Sequence, residues 1–296
     1  MKPLSKKALI GYPAGIITGI AYGLNPLFGI PLMNDGASVD AILFFRYAIA
    51  VGLLGILLLL ERQSFKVTVK QIGVLFALGA MFTLSSIFLF EAFKYIPSGL
   101  ATTLCFLFPV FVALTMVFLK VVPSWQVWLA IIATFIGVCI MSLSGSSETI
   151  NLLGVILSLA SALTYAWFIV IINKSKAISS ISNRLLTFYA LLFGAIIFFV
   201  KLIISGADIM TGIDTGLDWV NLVCLAIFPT IISTATLAVA TRNIGATKAS
   251  VLEVFEPITA ILVGTLIFGE PLTSNIIIGI TISIVAVMFM IITTKR

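Results

Sequence analysis

The sequence has no histidine and few charged residues. Charged residues make up 9% of its 296 residues, whereas hydrophobic residues make up 61%. Soluble domains are about 25% charged and about 45–50% apolar, so this composition excludes a soluble domain and indicates a protein embedded in a membrane. The absence of histidine also removes the commonest metal ligand and a frequent catalytic acid–base group.

Cysteine is scarce as well. Cys105, Cys139 and Cys224 all lie in apolar stretches, their number is odd, and their spacing matches no metal-site pattern. We therefore predict three small buried hydrophobic side chains, with no disulfide, no bound metal and no cofactor. The net charge of +6 does not indicate nucleic-acid binding, because the basic residues are scattered through short loops rather than clustered with aromatic side chains.

Long apolar stretches separated by short polar loops run through the whole chain. A helix needs about 20 apolar residues to cross the hydrocarbon core of a bilayer. The apolar run after the basic N-terminus is too long for a signal peptide and shows no clear cleavage site, so we expect it to be retained as span 1. The sequence predicts ten spans, at residues 8–32, 38–60, 71–94, 97–119, 124–143, 151–172, 183–204, 218–241, 247–268 and 273–293.

Lysine and arginine are distributed very unevenly between the loops. With both termini in the cytoplasm, fourteen of them fall on the cytoplasmic side and two, Lys94 and Lys201, on the other, while Arg46 remains inside span 2. Cytoplasmic loops of membrane proteins carry such an excess. We therefore predict a multi-pass protein of the bacterial cytoplasmic (inner) membrane with cytoplasmic N- and C-termini.

The second half of the chain repeats features of the first. A shift of 148 positions places Pro257 on Pro109, and a shift of 143 positions places Tyr165 on Tyr22. Five spans per half is an odd number, so the second half would enter the membrane upside down, as in secondary transporters with a binding site at the midplane. We predict an all-α integral membrane protein with ten transmembrane helices in two inverted five-helix repeats. The repeats span residues 11–142 and 151–293.

Two carboxylates lie deep in span 9. Glu253 and Glu256 are three residues apart, so both are expected to project from one face of a helix, and Pro257 should loosen that helix beside them. A charge at this depth is costly and usually marks a function, and two carboxylates in a dry site cannot both ionise easily. We expect Glu256, which is nearer the middle of the span, to carry a proton or a cation. A purely structural network is the alternative.

Arg46 lies near the middle of span 2. A guanidinium at that depth must reach the membrane surface, face water or pair with a carboxylate. Its candidate partners are Glu91, Glu253 and Glu256, and the pair would be either functional or structural. Glu91 is also three residues before Lys94, and a local surface pair between these two is expected.

Span 1 combines a proline kink with a stripe of glycine. Pro26 should free the carbonyl group of Tyr22, and an unwound turn at membrane depth must be buried in protein or line a cavity. Asn25 offers both a donor and an acceptor there, as part of a structural kink or as a substrate contact. Glycines four residues apart favour close packing of helices, with a dimer contact as the alternative. They are Gly11, Gly15, Gly19 and Gly23.

These residues resemble a known family, the EamA-type transporters of the drug/metabolite transporter superfamily. The resemblance covers nearly the whole chain and rests on Arg46 and on the segments Leu252-Glu253, Phe255-Glu256-Pro257 and Phe268-Gly269-Glu270-Pro271-Leu272. The first half departs from the pattern, with Phe108-Pro109 in place of an acid–proline pair and Val121-Val122-Pro123 in place of Gly-Glu-Pro. The resemblance implies ten helices, a central cavity, and movement of small metabolites, often outward, by alternating access.

We therefore predict a secondary active transporter, and not an enzyme, that exports small organic, amino-acid-like solutes with proton coupling left open. The alternative is a cation or drug carrier, with a quaternary ammonium or polyamine-like substrate held by Glu256 and aromatic rings. We expect the partners to be the solute, protons and the lipid bilayer, in a monomer or homodimer. The predicted cavity residues are Tyr22, Asn25, Arg46, Tyr165, Glu253 and Glu256, and the predicted helix breaks are Pro26, Pro109 and Pro257.

Overall fold

The fold is built from helices. The computed structural model describes residues 6–92, 95–96, 101, 104–142, 151–206, 209–267, 269 and 273–293. These residues form helices and connecting turns and include no strand. A helix satisfies its own backbone hydrogen bonds, which is the requirement for crossing a bilayer. The protein is therefore an α-helical membrane protein.

The helices are numbered in chain order. The first half contains α1 (Lys6–Tyr22), α2 (Asn25–Asn34), α3 (Val39–Leu60), α4 (Val69–Ala92), α5 (Phe108–Phe118) and α6 (Trp125–Ser142). The second half contains α7 (Leu152–Lys174), α8 (Asn183–Ser205), α9 (Gly216–Leu225), α10 (Ser233–Ile244), α11 (Ala246–Leu252), α12 (Phe255–Ile267) and α13 (Ser274–Thr293). A π-helical segment, Ala226–Ile232, joins α9 to α10, and a 3-10 turn, Lys176–Ile178, follows α7.

Eight stretches are long and apolar enough to cross a membrane. They are Lys6–Asn34, Val39–Leu60, Val69–Ala92, Leu152–Lys174, Asn183–Ser205, Gly216–Ile244, Ala246–Ile267 and Ser274–Thr293. These stretches correspond to predicted spans 1 to 3 and 6 to 10. Predicted spans 4 and 5 correspond to the shorter apolar helices α5 and α6, and residues 97–100 and 102–103 of span 4 lie outside the described residues.

Several spans are interrupted rather than continuous. Span 1 divides at Gly23 and Leu24, between α1 and α2, and span 9 divides between α11 and α12. Pro26, Pro109 and Pro257 each lie in the first turn of the helix that follows an interruption. Proline is tolerated there because the first N–H groups of a helix have no partner within the helix.

The helices pack in pairs that join one half of the chain to the other. α1 packs along α10, α4 along α7, α3 along α8, and α6 along α13. Two glycines make close approaches here: a Cβ on Gly11 of α1 would lie 2.5 Å from Ile244 of α10, and a Cβ on Gly154 of α7 would lie 2.8 Å from Ile96, which follows the end of α4. Gly154 follows Gly11 by 143 positions and Ile244 follows Ile96 by 148, the two shifts that relate the halves in sequence.

The glycine stripe of α1 faces span 9. Gly15 packs on Leu252, and a Cβ on Gly19 would lie 3.0 Å from the amide nitrogen of Glu256. A Cβ on Gly23 would lie 2.5 Å from the Glu256 carbonyl oxygen. The predicted close packing is confirmed, and the alternative of a dimer contact through this stripe is wrong, because α10 of the same chain covers Gly11 and span 9 covers the other three glycines.

Candidate functional site

A small cavity lies beside the interruption of span 9. Its volume is about 40 Å³, which is room for about three water molecules. Glu256 alone is charged among the described residues that line it. The other lining groups are five aromatic rings, two serine hydroxyls, a thiol, a leucine and a proline. They are Tyr22, Phe90, Phe106, Phe108, Tyr165, Ser85, Ser86, Cys105, Leu89 and Pro257.

Glu253 is next to this cavity but is completely enclosed. Its exposed fraction is 0%. One carboxylate oxygen, Oε2, accepts a 2.5 Å hydrogen bond from the hydroxyl of Tyr165, whereas Oε1 has no hydrogen-bond partner among the described residues. Buried polar atoms almost always have a partner, so the exception makes Glu253 a candidate functional residue.

The interruption of span 9 separates the two acids. Pro257 has no N–H to offer to the carbonyl of Glu253, which instead accepts a 2.8 Å hydrogen bond from the amide of Glu256. Glu253 thus ends α11, and Glu256 lies in the first turn of α12. The prediction that both project from one face of a single helix is wrong: Glu253 bonds to Tyr165, and Glu256 lines the cavity.

Arg46 is buried between the interruption of span 1 and the π-helical segment of span 8. Its exposed fraction is 4%. Nε donates to Thr230 Oγ1 at 2.5 Å, Nη1 to Asn25 Oδ1 at 2.9 Å, and Nη2 to the Pro229 carbonyl at 3.1 Å. Its Cζ atom also lies 5.5 Å from the centroid of the Tyr22 ring, a cation–π distance.

The predicted ion pair of Arg46 is not formed. None of the described carboxylates lies within 4.0 Å of its guanidinium, so direct pairing with Glu91, Glu253 or Glu256 is wrong for this structure. Three neutral oxygens accept its hydrogen bonds instead. The predicted partner of Glu91, Lys94, lies outside the described residues.

Asn25 connects Arg46 to the interruption of span 1. Its Nδ2 donates a 2.9 Å hydrogen bond to the carbonyl of Tyr22, the group that Pro26 was predicted to free. The ring of Tyr22 in turn stacks on Tyr165, with 6.5 Å between centroids. The six predicted cavity residues therefore lie together, from Arg46 through Tyr22 to Glu253, with Glu256 beside them.

Other polar residues of this region were missed from sequence. Ser161 Oγ donates a 2.8 Å hydrogen bond to the Ser85 carbonyl and lies 3.5 Å from Cys105 Sγ. Cys105, predicted to be a simple hydrophobic residue, lines the cavity, and the available signal was its alignment with Glu253 at the 148-residue shift. For Thr230, the signal was the preceding proline, Pro229, within an apolar span.

Comparison with known proteins decides the family. The EamA-like transporter family matches residues 9–143 and 152–292. The chain belongs to this family. The predicted resemblance is thus confirmed, and the EamA-like protein is a transporter rather than an enzyme. Of its second predicted motif, Phe268 to Leu272, only Gly269 lies within the described residues.

Two similar proteins carry the name uncharacterized transporter. The chain is 27% identical over 243 residues to an uncharacterized transporter of Archaeoglobus fulgidus, covering 81% of this chain and 83% of that one. It is 25% identical over 289 residues to an uncharacterized transporter of Clostridium kluyveri, covering 93% and 91%. A crystal structure superposes with a TM-score of 0.80 at 16% identity, over 99% of this chain and 100% of the other, which shows a shared fold.

Proposed function

We propose that the protein is a secondary active transporter that moves small organic solutes by alternating access. Family membership supports a transport function. The small size of the cavity lined by Glu256 supports a conformational change that alternates access to it. Small-molecule sites usually enclose about 300–1,000 Å³, whereas this cavity encloses about 40 Å³. The surrounding helices must therefore separate before a solute can enter.

The proposed architecture is ten transmembrane helices in two inverted repeats, residues 11–142 and 151–293. Two observations support it: the family matches the chain twice, and the α1–α10 and α4–α7 contacts correspond when the halves are exchanged. The excess of lysine and arginine supports cytoplasmic termini, in the cytoplasmic membrane of a bacterium.

The proposed class of substrate follows from the charge of the cavity lining. Glu256 contributes a carboxylate beside aromatic rings, and Arg46 is held outside the lining by three neutral acceptors. A carboxylate with aromatic faces attracts a positively charged nitrogen. The substrate would therefore carry an amino or ammonium group on an apolar body.

This reading favours the cation carrier over the amino-acid-like solute. Both substrates share the positive nitrogen, but an amino acid also brings a carboxylate, and no described lining residue offers that carboxylate a cation. Glu256 could release the solute when it binds a proton, which would couple outward solute flow to inward proton flow.

The test is thermal stabilisation of the purified protein by phenethylamine, tetraethylammonium and leucine, each added to wild type, Glu256→Gln and Glu61→Gln. A ligand at about 100 times its Kd stabilises by about 2.7 kcal/mol. We expect the two cations to stabilise wild type and Glu61→Gln, which retains the cavity, but not Glu256→Gln. Stabilisation by leucine alone, or equal shifts in Glu256→Gln, would contradict the cation assignment.

A further inference from the structure

A second and larger cavity lies away from Glu256. Its volume is about 430 Å³, within the usual size of a small-molecule site. One side comes from the first half, between Met116 and Val127, and the other from the second half, between Ile244 and Lys248 with Thr293. We call it the Lys248 groove. It bridges the end of α5, the connection between α10 and α11, and the end of α13.

The Lys248 groove carries an uncompensated positive charge. Lys248 is partly buried, and within the described chain it has no hydrogen bond or ion pair. None of the described lining residues is acidic. Hydroxyl and amide groups lie in the same lining, from Ser124, Gln126, Thr247 and Thr293. The groove thus offers a cation and several neutral hydrogen-bonding groups, which suits a ligand with net negative charge.

The walls and the rim of the groove are apolar. Val121, Val122 and Val127 form part of its lining. Val122 is 72% exposed and Phe118, one turn before it, is 85% exposed. Such side chains at the end of an apolar helix are suited to contact with acyl chains, since lipid is the apolar medium around a membrane protein. The groove therefore joins a polar, cationic interior to an exposed apolar rim.

We propose that the Lys248 groove binds an acidic phospholipid of the bilayer. The phosphate would contact the Lys248 ammonium, the hydroxyl and amide side chains would bind the glycerol or headgroup oxygens, and an acyl chain would lie on Val122 and Phe118. A zwitterionic lipid fits less well, because its positive headgroup would meet no carboxylate in the lining. The bound lipid would bridge the two halves of the chain.

The proposal can be tested on the full chain in nanodiscs. We expect wild type to be more thermally stable in phosphatidylglycerol than in phosphatidylcholine, and to retain phosphatidylglycerol in native mass spectrometry. A lysine near anionic headgroups contributes about 1 kcal/mol, so Lys248→Gln should weaken phosphatidylglycerol binding about fivefold. Lys70→Gln is the matched control, because Lys70 is an exposed lysine outside the groove.

A second variant separates charge from shape. Ser124→Trp keeps the lysine but fills the groove, and it should lose the retained lipid as well. Equal stability of wild type in the two lipids, or equal losses in Lys248→Gln and Lys70→Gln, would overturn the proposal. The proposal would also be overturned, in favour of a soluble anion, if soluble sn-glycerol 3-phosphate stabilised the lipid-free protein as much as phosphatidylglycerol stabilises the protein in nanodiscs. None of these outcomes depends on which solute the protein transports.

Discussion

Asn25 and Arg46 form one hydrogen-bonded unit that closes the interruption of span 1. The amide of Asn25 accepts from Arg46 and donates to the carbonyl of Tyr22, so a single side chain satisfies two buried groups. Arg46 also bonds to Thr230 and to the Pro229 carbonyl in the other half of the chain. The Arg46 guanidinium also lies over the Tyr22 ring that borders the cavity.

We predict that Asn25→Ala destabilises the protein. The substitution leaves the Tyr22 carbonyl and one Arg46 N–H without partners, and each unsatisfied buried group costs about 1–3 kcal/mol. Thermal unfolding in detergent measures the loss. Asn243→Ala is the control, because the Asn243 amide bonds to Val239 within its own helix and should cost less. Equal losses in the two variants would contradict the bridging role of Asn25.

The sequence identifies the residues of this site better than their contacts. Tyr22, Glu253 and Glu256 could be selected because a polar group in an apolar span is costly by itself. The partners of Arg46 could not be predicted. One is a backbone carbonyl, which every residue has, and another, Thr230, is 184 positions away. A search limited to opposite charges therefore proposes carboxylates and misses neutral acceptors.

Interrupted helices border the site, and Gly23 allows two of their backbones to approach closely. Gly23, which directly follows α1, lies against the carbonyl of Glu256, where a Cβ would approach to 2.5 Å. The turn that carries both acids is therefore supported from one side by a residue without a side chain. Gly29 lies in α2 of the same span, and a Cβ added to it would have no neighbouring atom within 4 Å.

We predict that Gly23→Ala destabilises the protein and that Gly29→Ala does not. The first forces α1 away from span 9, and overpacking of this kind costs about 1–3 kcal/mol. The second should be neutral or stabilise by up to about 1 kcal/mol, because alanine is the better helix former. Thermal unfolding of the two variants measures the contrast. Similar stabilities would show that the Gly23 contact can relax without cost.

The sequence predicts the helix interruptions from their prolines, but it does not predict the π-helical geometry of span 8. Pro26 and Pro257 indicate interruptions because each lacks the N–H that a continuous helix requires. The π-helical segment Ala226–Ile232 contains Pro229, and the Pro229 carbonyl and Thr230 hydroxyl accept hydrogen bonds from Arg46 of another span. Pro229 is visible in the sequence, but the contacts with Arg46 are tertiary and leave no periodic pattern there.

In the molecule as a whole, two ion pairs fasten α3 to α8 at opposite ends. Lys201 Nζ lies 2.6 Å from Asp40 Oδ1 near one end, and Arg184 pairs with Glu61 near the other. Partly exposed pairs contribute only about 0–1 kcal/mol each. Because both pairs exist in the same conformation, we expect α3 and α8 to move together, and the opening to occur among the helices around Glu256.

We predict that covalent linkage of α3 to α8 leaves transport intact. Asp40→Cys with Lys201→Cys, joined by a short reducible cross-linker in a chain without its native cysteines, should move a stabilising cation into proteoliposomes within about twofold of the unlinked rate. Glu61→Cys with Arg184→Cys should behave in the same way. Linking two helices that already move together restrains no movement that transport requires. Transport that stops on linkage and returns on reduction would show that these helices separate.

The pairing of helices across the two halves also affects how the chain is made. α1, α3 and α4 enter the membrane before α10, α8 and α7, the helices that cover them, have been translated. At about 5–20 residues per second, the wait is on the order of ten seconds. During that time Arg46 lacks Thr230 and the Pro229 carbonyl, so the nascent first half depends on lipid, water or the insertion machinery to shelter its charge.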